Sequence, residues 1–286
     1  MGLPRRSRAV VRFAALVWAT ALFALLGSRL SSSPAYVAKA APLRVMAFGD
    51  SITAGVSAFG ANGNNGGYRG PLAELLERGG YHVTFVGSRH DYSDAIATRA
   101  HEGWPGYVIR SFRSDPGPGQ LYGALARKAM QGNDPDVVLL MAGTNDLLRS
   151  ERAAAGYTLP NIVASMDLLL GQIVTAKPDV FVIVAPIVSS PRVRTCALHA
   201  FNGFGDATGC PIVNAGLKAI VDGYVSRGYR VSFALDMAES VPRDAAHFPD
   251  GIHPSGAGGY LAMAEVWLKA IQAITQPDPT DVAARP

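Results

Sequence analysis

The chain has 286 residues, of which 49% are hydrophobic and 17% charged, a composition typical of a globular protein rather than of a disordered one. The formal net charge of +4 comes from the first forty residues, which hold six of the 26 Lys and Arg residues and none of the 22 Asp and Glu residues. The other 20 basic and 22 acidic residues leave a net charge of −2, which argues against nucleic acid or an anionic membrane surface as a partner.

Residues 1–40 have the layout of a secretory signal peptide. A basic segment at residues 5–12 precedes an uncharged apolar stretch at residues 13–27, and residues 38–40 form an Ala-x-Ala cleavage pattern. Because a membrane-spanning helix needs about twenty apolar residues, an uncleaved anchor is the second choice. The sequence therefore predicts an exported protein whose mature form begins at residue 41 and has no membrane partner.

Apolar runs alternate with amphipathic patterns along the rest of the chain. The runs are rich in Val, Ile and Leu and predict strands, most of them buried on both faces, at residues 43–48, 82–86, 137–141, 180–185 and 231–235. The amphipathic patterns predict helices at residues 68–78, 120–130, 160–176, 211–227 and 259–274. This alternation predicts a three-layer α/β/α sandwich with a five-stranded parallel sheet, formed by residues 41–275 and followed by a frayed tail at 276–286.

The first predicted strand ends in a polar segment that allows two interpretations. Residues 45–55 read VMAFGDSITAG, so that Asp50, Ser51 and Thr53 follow directly on an apolar run. These are common turn and capping residues, whose side-chain oxygens accept hydrogen bonds from the first N–H groups of a helix. Alternatively, Ser51 is a nucleophile on a strand-to-helix turn, at the edge where parallel sheets bind their ligands.

A nucleophilic serine needs a base and a group that orients the base. His253 is the strongest candidate base among the six histidines, because Asp250 precedes it by three residues with a glycine between them. A tight turn would bring the carboxylate to Nδ1 and leave Nε2 facing outward. Asn145, Gly106 and the Ser51 backbone offer N–H donors for an oxyanion. For Asp250 and His253 the alternative is a pattern that occurs by chance. For Asn145 it is a helix cap, and for Gly106 it is an ordinary turn.

Three motifs together resemble the GDSL/SGNH hydrolase family. Gly-Asp-Ser-Ile-Thr follows the first predicted strand, Gly-Thr-Asn-Asp follows the third, and Asp-Gly-Ile-His-Pro precedes the last helix. The resemblance covers residues 43–274 and implies a flavodoxin-like SGNH fold and hydrolysis of carboxylic esters. It differs from the Gly-x-Ser-x-Gly pattern of α/β-hydrolases, because Thr53 takes the place of the last glycine.

The resemblance also implies roles for individual residues. Its catalytic triad corresponds to Ser51, Asp250 and His253. Its oxyanion hole corresponds to the Ser51 N–H, Gly106 and Asn145, with Gly103 as the alternative glycine.

A narrower set of motifs resembles the third family of carbohydrate esterases, whose members remove acetyl groups from xylan. It includes Gly-Gly-Tyr-Arg at residues 66–69 and His-Glu-Gly-Trp-Pro-Gly at residues 101–106. The likeness implies a short acyl ester on a sugar as the substrate, and we place Asp50 and Trp104 in substrate binding. Interior packing is the alternative for Trp104. The rival functions are a lipase or lysophospholipase with the same triad, and a non-catalytic module that binds glycan.

Cys196 and Cys210 are the two cysteines of the chain. In an exported protein we expect them to form a disulfide, which closes a short loop and contributes on the order of 3 kcal/mol; two buried thiols are the alternative. We predict neither a metal site nor a cofactor, since Pro105 occupies the second histidine position of a His-Glu-x-x-His pattern and no nucleotide-binding motif follows a strand. We predict a monomer that acts on small-molecule or polysaccharide esters.

Overall fold

The computed structural model describes residues 42–275 except for 57–65, 93–95, 98, 113–118, 152–153, 155, 195, 197–208 and 257. The predicted signal peptide at residues 1–40 and the predicted tail at 276–286 lie outside the described residues, so both stay predictions. The described residues build an α/β fold in which helices cover both faces of a parallel sheet.

The strands of this sheet all run parallel to one another. They are β1 (Leu43–Gly49), β2 (Val83–Phe85), β3 (Glu102–Gly103), β4 (Val137–Met141), β5 (Phe181–Val184) and β6 (Val231–Phe233). Five of them follow the order β2-β1-β4-β5-β6, and β3 pairs with the end of β1. This order is the flavodoxin-like arrangement, so the predicted fold is confirmed. The sequence did not predict β3, because two residues are too few to show a pattern.

The helices agree with the predicted ones, apart from the bounds of one helix and two short helices that the patterns did not predict. They are α1 (Ser51–Ala54), α2 (Arg69–Arg78), α3 (Ala124–Asn133), α4 (Thr144–Glu151), α5 (Leu159–Ala176), α6 (Gly209–Ser226) and α7 (Gly259–Thr275), with a 3₁₀ helix at Leu235–Glu239. Helix α3 begins at Ala124 instead of residue 120, because Gln120 forms a bridge with Val108 and Gly123 adopts a φ of +97°. The sequence patterns did not predict α1 and α4, which have only four and eight residues.

Both faces of the sheet are buried, which explains why the strands read as continuous apolar runs. On β1, Met46 and Phe48 belong to the core under α3, α5 and α6, whereas Val45 and Ala47 belong to the core under α2 and α7. Helix α5 is long and apolar enough to cross a membrane by length and composition alone. Its apolar stripe packs on the sheet in the first of these cores, as expected for a helix of a globular domain.

Candidate active site

Ser51 follows the carboxyl end of strand β1 and is the first residue of α1. Gly49, the last residue of β1, pairs with Met141 on one side and with Gly103 on the other. A Cβ at Gly49 would collide with the Met141 carbonyl oxygen and with Thr53 Oγ1, so only glycine fits there. Three strand ends therefore converge beside the serine.

The short helix α1 is held at both of its ends. At the first end, Asp50 Oδ1 accepts a hydrogen bond of 3.0 Å from the Ile52 N–H. At the other end, the buried guanidinium of Arg69 donates to the Thr53 carbonyl at 3.3 Å and to the Ala54 carbonyl at 3.0 Å. Burial lowers the pKa of Arg69 to about 10, so the group stays charged at neutral pH. Its positive charge lies at the carbonyl end of the helix, where a cation is favourable.

Asp250 and His253 form the tight turn that their spacing predicted. Asp250 Oδ1 accepts hydrogen bonds from the Ile252 N–H at 2.9 Å and the His253 N–H at 2.8 Å, and Oδ2 lies 2.6 Å from His253 Nδ1. Partial burial favours the protonated carboxyl, but the hydrogen bonds from His253 and the two N–H groups outweigh it and lower the pKa of Asp250. Across the turn, His253 Nε2 lies 2.8 Å from Ser51 Oγ. The fold thus brings Ser51 to a turn that lies about 200 positions further along the chain.

Two of the predicted oxyanion donors lie on helix α4 and on the loop bonded to it. Asn145 is the second residue of α4, and its Nδ2 donates to the Tyr107 carbonyl at 2.9 Å, which ties α4 to the loop that carries Gly106. Gly106 is exposed at a φ of +78°, and its N–H donates to no described residue. The N–H of Gly103, in contrast, donates to His101 Nδ1 at 3.0 Å. These contacts favour Gly106 over Gly103 as the donor.

Asp146, beside Asn145, is a supporting residue that the sequence analysis did not single out. Its buried carboxylate accepts hydrogen bonds from the Ile109 N–H at 3.2 and 3.0 Å and so holds the end of the Gly106 loop against α4. Burial raises the pKa of Asp146 to about 7. The acidic residue in the first turn of α4 is the signal that could have identified it.

Asp50 caps the first end of α1 from a buried position. Only 1% of the residue is exposed, its Oδ1 caps α1, and its Oδ2 has no hydrogen-bond partner among the described residues. Burial raises the pKa of Asp50 to about 6. These contacts agree with the capping interpretation of Asp50, and its contact with substrate stays a prediction.

The predicted disulfide between Cys196 and Cys210 is present, and it connects to the Asp250–His253 turn through the segment after β5. Both cysteines are buried, and the Cys196 N–H donates to Ser189 Oγ at 2.8 Å. A few residues further on, the Arg192 N–H donates to the Gly251 carbonyl at 3.0 Å. The disulfide therefore braces a segment that contacts the turn carrying His253.

Trp104 follows β3 and is half-buried, with contacts on several sides. Its indole N–H donates to Glu102 Oε2 at 3.0 Å, the Arg89 guanidinium carbon lies 4.5 Å from its ring centroid, and the Tyr107 ring centroid lies 5.2 Å away. The predicted contact with substrate stays a prediction. In the part of the chain that the structure describes, no group of three His, Cys, Asp or Glu residues is arranged to hold a metal ion.

A serine, a histidine and an aspartate in line at the carboxyl edge of a flavodoxin-like sheet are typical of the SGNH class of hydrolases. A family model described as the GDSL-like lipase/acylhydrolase family matches residues 47–260, and the chain belongs to this family of carboxylic ester hydrolases.

Relatives of known structure or activity point the same way. The chain is similar to a family 3 carbohydrate esterase of Clostridium thermocellum, with 26% identity and a TM-score of 0.59 over 82% of this chain and 100% of that one. A carbohydrate esterase of family 3 from Talaromyces cellulolyticus shows 25% identity and a TM-score of 0.57 over 81% and 98% of the two chains. A multidomain esterase of Ruminococcus flavefaciens is 29% identical over 265 residues, which are 86% of this chain but only 30% of that protein.

Proposed function

We propose that this chain is an exported serine esterase that removes short acyl groups, acetyl above all, from carbohydrate. The observation that carries the proposal is the line of hydrogen-bonding distances from Ser51 Oγ to His253 Nε2, 2.8 Å, and from His253 Nδ1 to Asp250 Oδ2, 2.6 Å. A hydroxyl, an imidazole and a carboxylate in this order can generate a nucleophile at neutral pH.

In the acylation step, Ser51 Oγ attacks the ester carbonyl carbon while His253 Nε2 takes the hydroxyl proton. Asp250 keeps the other proton on Nδ1 and stabilises the imidazolium that forms. When the tetrahedral intermediate collapses, the bond to the sugar oxygen breaks and His253 returns the proton to that oxygen. Water then attacks the acyl-enzyme with His253 as base, which releases the carboxylic acid and restores Ser51.

The negative charge on the former carbonyl oxygen requires donors that are in place before the reaction. We assign this role to the Ser51 N–H, the Gly106 N–H and the second hydrogen of Asn145 Nδ2, since the first is used on the Tyr107 carbonyl. The bonds from Asn145 to Tyr107 and from the Ile109 N–H to Asp146 hold the Gly106 loop beside α4. Preorganised donors cost little reorganisation at the moment of reaction.

The substrate class and the location rest on separate arguments. The similarity to two carbohydrate esterases of family 3 supports a sugar ester, and the motifs at residues 66–69 and 101–106 support a short acyl group. The basic and apolar leader at residues 1–40 supports export. The disulfide between Cys196 and Cys210 agrees with an oxidising compartment.

The proposal is tested with a series of 4-nitrophenyl esters from acetate to palmitate and with acetylated xylan, on the native chain and on Ser51→Ala. We expect the acetate ester to have the highest kcat/KM, acetate to be released from xylan, and Ser51→Ala to lose at least about 10³-fold in kcat. A fluorophosphonate probe should label the native chain and leave Ser51→Ala unlabelled.

Each rival function predicts a different result. A maximum of kcat/KM at long acyl chains would assign the chain to lipases or lysophospholipases. Absence of both labelling and turnover in a folded chain would indicate a module that only binds glycan. Labelling that persists in Ser51→Ala would place the nucleophile elsewhere.

A further inference from the structure

We infer that a groove between Trp104 and helix α3 binds sugar residues of the substrate chain next to the acylated one. This inference rests on the proposed function, because it places the remainder of an acylated polysaccharide. The groove has a volume of about 520 Å³, within the range of small-molecule sites. One wall consists of Trp104 and Tyr107, and the other is the face of α3 that carries Leu125, Lys128 and Ala129.

The lining has the mixture of groups that a carbohydrate requires. Trp104, Tyr107 and Leu125 supply aromatic and aliphatic surface for the C–H faces of a sugar ring, while Lys128 and Ser88 supply polar groups for its hydroxyls. Lys128 is exposed and makes no ion pair with a described residue. A lipid chain would be served by a wholly apolar lining, so the composition favours a saccharide.

A buried carboxylate that the proposed reaction does not use fixes the shape of this groove. Glu102 is 1% exposed; its Oε1 accepts from the Ser88 N–H at 2.7 Å and from Asn133 Nδ2 at 3.2 Å, and its Oε2 accepts from the Trp104 indole at 3.0 Å. One side chain thus joins the strand layer, the aromatic wall and the end of α3. Walls that are rigid before binding lose little conformational entropy when a ligand is bound.

The loop that carries the aromatic wall of the groove also contacts the elements of the proposed catalytic centre. The Trp104 N–H donates to the Gly49 carbonyl at 2.9 Å, two residues before Ser51. On the other side of Gly106, the Tyr107 carbonyl accepts from Asn145 Nδ2 at 2.9 Å. The aromatic wall and Gly106, one of the proposed oxyanion donors, therefore belong to the same loop. A polysaccharide whose acyl group lies at Ser51 can place its neighbouring sugars along α3, which extends for roughly 14 Å.

The test is to fill the groove without touching the reacting groups. We expect Leu125→Trp to change kcat/KM for 4-nitrophenyl acetate by less than threefold and to lower kcat/KM for acetylated xylo-oligosaccharides at least tenfold, through KM. Lys128→Ala should raise the same KM several-fold. Leu168→Trp on the exposed surface of α5 and Lys269→Ala on α7 are the matched controls, and neither should change kcat/KM for either substrate.

Binding without turnover separates this inference from the proposed function. Calorimetric titration with unacetylated xylo-oligosaccharides should give an affinity for the native chain that Leu125→Trp reduces at least tenfold and Leu168→Trp does not. Two results would overturn the groove as a subsite even if the esterase activity is present. One is that Leu125→Trp lowers kcat/KM equally for 4-nitrophenyl acetate and for the acetylated oligosaccharides. The other is that Leu125→Trp binds the unacetylated oligosaccharides with native affinity. A chain that binds the oligosaccharide in the groove but hydrolyses no ester would instead overturn the proposed function.

Discussion

Two Asp-x-x-His turns follow each other in the chain, at residues 244–247 and 250–253, and their local structures are nearly the same. In the first, Asp244 Oδ1 accepts from the N–H groups two and three residues on, both at 3.0 Å, and lies 2.8 Å from His247 Nδ1. In the second, Asp250 Oδ1 accepts from the corresponding N–H groups at 2.9 and 2.8 Å, and its other oxygen, Oδ2, lies 2.6 Å from His253 Nδ1. The local pattern therefore folds the same way wherever it occurs.

The two turns differ in what the outer ring nitrogen meets. His253 Nε2 faces Ser51 Oγ, whereas the ring of His247 lies against Gly258 and its Nε2 has no hydrogen-bond partner among the described residues. Phe248, between the turns, is buried in the core and separates them. Among the described residues of the segment after β5, Arg192 donates a hydrogen bond to Gly251 of the second turn, and none is bonded to the first. Tertiary position, and not local sequence, distinguishes a candidate base from a surface histidine.

The largest expected difference between the two turns is the effect on kcat of removing each imidazole separately. His253→Ala should lower kcat by about 10⁴- to 10⁶-fold, because Ser51 loses the group that takes its proton. His247→Ala should stay within twofold of the native chain. The two kcat values are measured from steady-state rates on 4-nitrophenyl acetate, and melting temperatures are the control for folding. A comparable loss in both variants would mean that the region acts through stability.

Replacing the two carboxylates tests the orienting role. Asp250→Asn retains an oxygen for the two N–H groups but turns an N–H₂ toward Nδ1, which favours the wrong tautomer and should cost about 10⁴-fold in kcat. Asp244→Asn is the matched substitution in the other turn and should cost less than twofold. The ratio of the two kcat values is the measurement, and a ratio near one would remove Asp250 from the proposed triad.

Breaking the disulfide tests whether the segment after β5 holds the Asp250–His253 turn in place. Cys196→Ser combined with Cys210→Ser should loosen the Arg192 contact and lower kcat by roughly tenfold, since small misplacements of a base are costly. Stability should fall by no more than about 3 kcal/mol, as measured by urea unfolding. If KM rises while kcat is unchanged, the loop shapes the substrate pocket and does not brace the base.

Acid stability gives the smallest expected difference. Hydrogen bonds lower the pKa of both Asp250 and Asp244 below the ordinary value of 3.8, so each ionised carboxylate stabilises the fold above that pH. This stabilisation is lost as the pH falls through the lowered pKa. Asp250→Asn should lower Tm by about 2–4 °C between pH 6 and 8, and the gap should close below about pH 4. Asp244, which is more exposed, should show a smaller gap. A gap that persists at low pH would contradict an electrostatic origin.

The elements with a strong periodic or apolar pattern could be predicted from the sequence alone. Strand β4 has the predicted bounds, and α5 begins one residue before its predicted start, because burial on both faces or along one stripe leaves a signal in residue types. The turn of Asp250 and His253 was also predictable, since its bonds lie within four residues. Strand β3 and the capping role of Arg69 were not, because each depends on partners that are distant in the chain.

By itself, the sequence determined the α/β alternation, the parallel sheet, the strand-to-turn position of Ser51 and the local shape of the Asp250–His253 turn. The tertiary structure alone decided which of these turns faces Ser51, that Asp50 is buried beneath α1 and that Glu102 joins the walls of a groove. The physical reason is the range of the interactions. Backbone periodicity and short turns are satisfied by neighbouring residues, whereas burial and contacts across the sheet edge exist only after the strands have paired in register.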